Sequence, residues 1–200
     1  MSVEERASHD GQEFLHRSGT GRKSIDIAGN RRHDNFRGTA TVMGGSPEEI
    51  ASTLVFDGHT AYVVKTSGGK TAAARQDLTA ATGYDPIVWR EGVLAMVAAS
   101  AGLRPEEQSF LGRPCKVFRS RDRSDSEWIW NGILLKEEIR RPDTTILEQA
   151  VRIDENADLE DSLFSAPSGV DFQPYTETMA QSLVHDKPGP WMQPFHSRIF

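Results

Sequence analysis

The sequence predicts a mainly β fold: a curved antiparallel sheet left open as a half-barrel, with one long helix and a short helical turn packed across it. Three observations predict it. Turn signals recur at Asp57-Gly58, Gly68-Gly69 and Asn131-Gly132, and such pairs supply the positive φ angles of tight hairpins. The runs beside them alternate apolar and polar residues, the period of a half-buried strand. A single stretch, from about Pro86 to Ala101, carries the broad apolar face of a helix instead.

Taken in order, residues 1–22 are polar and read as a loose N-terminal segment. From Lys23 the chain alternates, with Ile25 and Ile27 on one face and Ser24 and Asp26 on the other. Gly29-Asn30 turns it, and Arg31 to Phe36 returns. Leu54-Val55-Phe56 and Ala61 to Val64 flank Asp57-Gly58 as a hairpin. Asp85 suits a helix N-cap and Pro86 the first helical position. Ile87, Leu94, Val97 and Ala101 share a face there, flanked by Trp89, Val93 and Met96, and Gly102 ends the helix. Strands resume at Cys115 to Phe118 and at Glu127 to Trp130. Alternation puts Trp128 and Trp130 on one face, expected to be the face that the helix covers. After Asn131-Gly132 come Ile133 to Ile139 and a long last strand, Thr144 to Ile153. Asp158 can cap a turn over Leu159 to Phe164. The domain reading is a segment 1–22, a β domain 23–172 and an extended tail 173–200.

Composition narrows the function. A net charge of -6 argues against nucleic acid, because phosphate binding needs clustered Lys and Arg. Arg119, Arg121 and Arg123 are interrupted by Asp122 and read as a solvated turn. Cys115 is the single cysteine, read as a small buried apolar residue. No run approaches the roughly 18 apolar residues of a membrane helix. The first residues hold no apolar leader, which argues for the cytoplasm.

Catalytic patterns are not found. The histidines, at 9, 16, 33, 59, 185 and 196, have no metal-ligand spacing. Gly19-Thr20-Gly21 lacks the third glycine of a nucleotide fingerprint. Glu137-Glu138 and Asp158 to Asp161 read as solvated edges and helix-cap groups. Arg31-Arg32-His33-Asp34 is the one polar cluster of note, read as an exposed strand end. The expectation is a protein that is not an enzyme and uses no cofactor or metal.

Four features of the second half occur in a familiar order. They are Phe110 to Phe118 (Phe-Leu-Gly-Arg-Pro-Cys-Lys-Val-Phe), Glu127 to Lys136 with its Trp-rich strand and Ile-Leu-Leu-Lys return, the strand Thr145 to Asp154, and the closure Leu163-Phe164-Ser165-Ala166-Pro167-Ser168-Gly169. This series resembles the bacterial outer-membrane lipoprotein-sorting superfamily, the LolA/LolB-like carriers, over roughly residues 23–172. The resemblance implies an unclosed barrel with helices across its mouth, acyl chains held in the concavity, and a periplasmic location. The chain departs from that pattern in its polar start and in its tail after the closure.

Two functions follow as expectations. In the first, the chain is an accessory subunit that docks on a larger assembly, with a membrane-bound energy-converting complex as one compatible host. Its tail would anchor it through Tyr175, Trp191, Met192, Phe195, Ile199 and Phe200, since aromatic residues dominate interface hot spots. In the second, the chain carries a lipid or acyl group in the concavity, lined by Trp89, Met96, Trp128 and Trp130.

Overall fold

The computed structural model describes residues 1–9, 12–78 and 89–174. Among them, twelve strands form one mainly antiparallel, unclosed sheet. The first meander is β1 (Ser2–His9), β2 (Gln12–Asp26), β3 (Arg31–Val42), β4 (Glu48–Phe56), β5 (Thr60–Ser67) and β6 (Lys70–Asp77). The second is β7 (Glu106–Phe110), β8 (Arg113–Arg119), β9 (Asp125–Trp130), β10 (Ile133–Arg141) and β11 (Thr144–Gln149). Helix α1 (Trp89–Ser100) comes between the meanders in sequence. A 3-10 turn (Asp161–Phe164) and the short β12 (Gln173–Pro174) follow them. The hairpin turns fall where the sequence places them, with positive φ at Gly68, Gly69, Asn131 and Gly132.

The two meanders are joined by β1. Its residues Ser2 to Ala7 pair with β11 on one side and with β2 on the other, both antiparallel. Residues 1–22, expected to be loose, therefore supply β1 and most of β2 in the middle of the sheet. Val3, Glu5 and Ala7 point into the buried face while Glu4 and Arg6 stay exposed. A polar strand can lie at the centre because its inward charge is paired: Glu5 lies 3.7 Å from Arg17 of β2.

Among the described residues helix α1 is short, Trp89–Ser100, so the long helix of the sequence reading is not found there. Asp85, Pro86 and Ile87 lie outside the described residues. Gly102 ends α1 with φ +69. Leu103 N–H donates to Ala98 O and Gly102 N–H to Ala99 O, the paired bonds of a Schellman stop. The helix packs through Leu94 and Ala98 against Phe118 and Ile129. Met96, midway between those two along the helix, turns away from both and is 60% exposed.

The tryptophan expectation is half corrected. Trp128 and Trp130 do share a face, with Cys115, Val117 and Leu135. The helix covers the other face, that of Phe118 and Ile129. Residues adjacent along β8 and β9 alternate sides, so a helix seated on Ile129 cannot also cover Trp128. The face of the pair is closed instead by Phe110, Ala150 and Ile153.

The last long strand is shorter than expected, ending at Gln149 rather than Ile153. Beyond it the chain crosses back over the first meander. The 3-10 turn buries Phe164, with the Arg31 guanidinium 4.6 Å above its ring. Phe172 meets Tyr62 edge to face at 5.3 Å, and β12 then pairs with β6 in parallel. No helix among the described residues is long and apolar enough to cross a membrane.

Candidate functional site at the split in the sheet

The pairing of β1 runs out before that of its neighbours. Ser2 is paired with Thr20 of β2 and with Gln149, the last residue of β11. Strand β2 continues to Asp26 along β3, and β10 begins at Ile133, ahead of its pairing with β11. The sheet therefore splits past Ser2, with β2 on one side and β10 on the other. Two connected clefts occupy the split. One, of about 490 Å3, lies between Gly21–Ile25 of β2 and the segment from Arg152 to Leu159. The other, of about 330 Å3, continues to Trp130, Ile133 and Ile153.

The strand edge along the first cleft is open. Met1 and Gly21 exchange two backbone hydrogen bonds, each 3.0 Å. Alternation along a strand points the N–H and C=O of Lys23 and Ile25 to that same side. Among the described residues they meet no strand there.

The lining combines an apolar wall with charge. Ile25, Ile27, Trp130, Ile133, Ala150 and Ile153 supply the wall. Lys23 reaches across to Glu148, which is 2% exposed. Glu148 Oε2 and Ser24 Oγ, both buried, find no hydrogen-bond partner among the described residues. Arg113 pairs with Glu155 at the far wall and lies over the Trp130 ring at 5.6 Å.

Behind the split, the buried face of the central strands is charged. Glu137 of β10 stands in register with Glu127 of β9 and Glu148 of β11. Glu137 is 4% exposed, so the expectation of a solvated edge fails for it. Adjacent residues of a strand face opposite ways: Glu138 turns outward to Lys136 (2.6 Å) and Arg140 (3.3 Å), and Glu137 turns in. The cluster at Arg31 to Asp34 is likewise no exposed strand end. Asp34 is buried and accepts two bonds of 2.9 Å from Arg32. Arg31 ties the β2–β3 turn to the closure through Asp26 (2.6 Å) and Asp161 (2.7 Å). Burial lowers the His33 pKa. It raises that of Cys115, an inert position for a thiol. Arg119, Arg121 and Arg123 do frame a turn, where Asp122 accepts from Ser120 and Ser124 and its pKa falls to about 2.

Of the residues expected to line a concavity, Trp128 and Trp130 pack in one cluster, but the described side chains do not all come together. Trp128 is core: Gln108 accepts from its indole N–H at 3.2 Å, and Lys136 Nζ lies 4.5 Å from its ring. Trp130 lines the cleft, alone among the described side chains of the four. Met96 is on the opposite face, and the Trp89 side chain lies outside the description. The six tail residues from Tyr175 to Phe200 also lie outside the described residues. Sequence reasoning missed Lys23 and Glu148, whose meeting depends on pairing β1 with β11. Among the described residues no group of His, Cys, Asp and Glu is placed to hold a metal. No family model, no curated protein and no solved structure matches this chain.

Proposed function

We propose that the chain is a non-catalytic accessory subunit that docks on a protein partner, with the split in the sheet as its seat. The observation that carries this reading is the edge of β2, unpaired among the described residues, beside an apolar wall. Strand edges left open are sites where another chain pairs. In this reading the open sheet is a half-barrel scaffold, as the lipoprotein-carrier resemblance implies, without that family's cargo. The tail, which follows β12 in sequence, is a second anchor in this reading. Its aromatic residues suit a buried interface, and a membrane-bound complex is one compatible host.

The carrier reading is second, favoured by the six apolar residues of the cleft wall. Against it stand Lys23, Arg152, Asp154 and Glu155, charged groups that share the same lining. An acyl chain laid over them would strip their water without replacing its bonds. Affinity capture of the full chain from its source, with mass spectrometry of both proteins and lipids, tests the two. Docking predicts a stoichiometric protein that is weakened or lost when residues 175–200 are deleted. A stoichiometric lipid with no protein would overturn docking in favour of carriage.

A further inference from the structure

The open edge narrows the chemistry of what can sit there. From Gly21 to Ile25 it runs roughly 13 Å, at about 3.3 Å per residue, and offers two donor–acceptor pairs, those of Lys23 and Ile25. It faces a slot whose far side is Arg152 to Leu159. A helix is too wide to pair with a strand edge. A small molecule would satisfy side-chain atoms but leave the evenly repeating backbone groups unmatched. An extended peptide satisfies both, since its own N–H and C=O repeat at the same spacing.

Charge sets the peptide's character. The lining charges nearly balance, with Arg22, Lys23, Arg152 and the Met1 ammonium against Glu148, Asp154 and Glu155. A slot so near balance gives little attraction to a charged segment and makes burial of one costly. The apolar wall of Ile25, Ile133 and Ile153 suits β-branched or aliphatic side chains on one face of the peptide. The other side chains of such a peptide turn away from that wall, because side chains alternate along a strand.

We propose that this edge is a strand acceptor: an uncharged, extended segment of the partner, with β-branched or aliphatic residues on the side that meets the wall, adds to β2 in line with β1. The proposal rests on the docking reading and names the partner's chemistry at the same seat.

The test uses the full chain, isotopically labelled, and two capped pentapeptides. One is acetyl-Thr-Val-Thr-Val-Thr-amide; the other is the same sequence with alternate backbone nitrogens methylated. The first should slow amide exchange at Lys23 and Ile25 by about tenfold or more while leaving the β7 edge unchanged. The methylated peptide, unable to donate, should bind at least about tenfold more weakly. Ile25→Pro removes an N–H that faces the slot rather than β3, and should weaken binding where Ile25→Val does not. Equal binding of both peptides, or no protection at millimolar concentration, would overturn the proposal. So would protection of Lys23 and Ile25 before any peptide is added, because the chain would then already fill its own seat. A partner captured as above while both peptides fail would overturn the strand acceptor alone and leave docking standing.

Discussion

Lys23 and Glu148 meet across the split from strands far apart in sequence, and both are largely withdrawn from water. Breaking a buried pair costs more than the pair is worth, because one charge is left alone. Lys23→Met should therefore destabilise by about 3–5 kcal/mol, and adding Glu148→Gln should recover much of the loss. Chemical denaturation of the single and double variants measures both. The tryptophans should also separate. Trp128 is 7% exposed and fills the core, so Trp128→Ala should cost about 3–5 kcal/mol; Trp130, on the cleft, should cost less. Equal losses would show that the cleft is closed in solution. Titration should expose His33. Burial holds its pKa below the ordinary 6.5, so the unfolded chain takes up the proton first. The stability it contributes is present above pH 6.5 and is lost as pH falls through the window below that value. His33→Gln should flatten this limb of a stability–pH curve. It should leave untouched the later loss between 3.8 and about 2, to which Asp122 contributes.

Among the elements, the hairpins were legible because a turn is local: Asn131-Gly132 carries its own φ requirement whatever lies around it. The stop of α1 at Gly102 was legible for the same reason. The pairing of β1 was not. Val3 and Ala7 alternate with polar residues, but Glu5 stands between them and breaks the apolar pattern. Its partner strand β11 lies at the other end of the β domain, with Ser2 opposite Gln149. Glu137 was missed because a pair of adjacent glutamates looks solvated until a strand sends one of them inward. The N-terminal strand now carries a sharp expectation. Deleting residues 1–9 removes the element that joins the two meanders, so the product should lose cooperative unfolding in a thermal melt. A truncated chain that melts as the full one does would place β1 outside the folded unit. Gly38 gives a finer probe of the same region. A Cβ there would stand 2.1 Å from Ser18 O and 2.9 Å from the Phe36 ring, so Gly38→Ala should destabilise by about 1–3 kcal/mol.

At the scale of the molecule, two meanders joined by one short strand leave a sheet that is continuous at one end and split at the other. The split gathers residues from β2, β9, β10, β11 and the segment after it, which is why no local motif announced it. Its lining includes Ile27, 59% exposed. The opposite end of the sheet carries Met43, 82% exposed at the β3–β4 turn, and so offers a matched control. Docking at the split is the central claim. A photo-crosslinking amino acid placed at Ile27 in one variant and at Met43 in another, each expressed in the source cell, tests it most directly. The account predicts one discrete protein adduct from position 27 and none from position 43. Adducts of the same partner from both positions, or a lipid adduct alone from position 27, would contradict it.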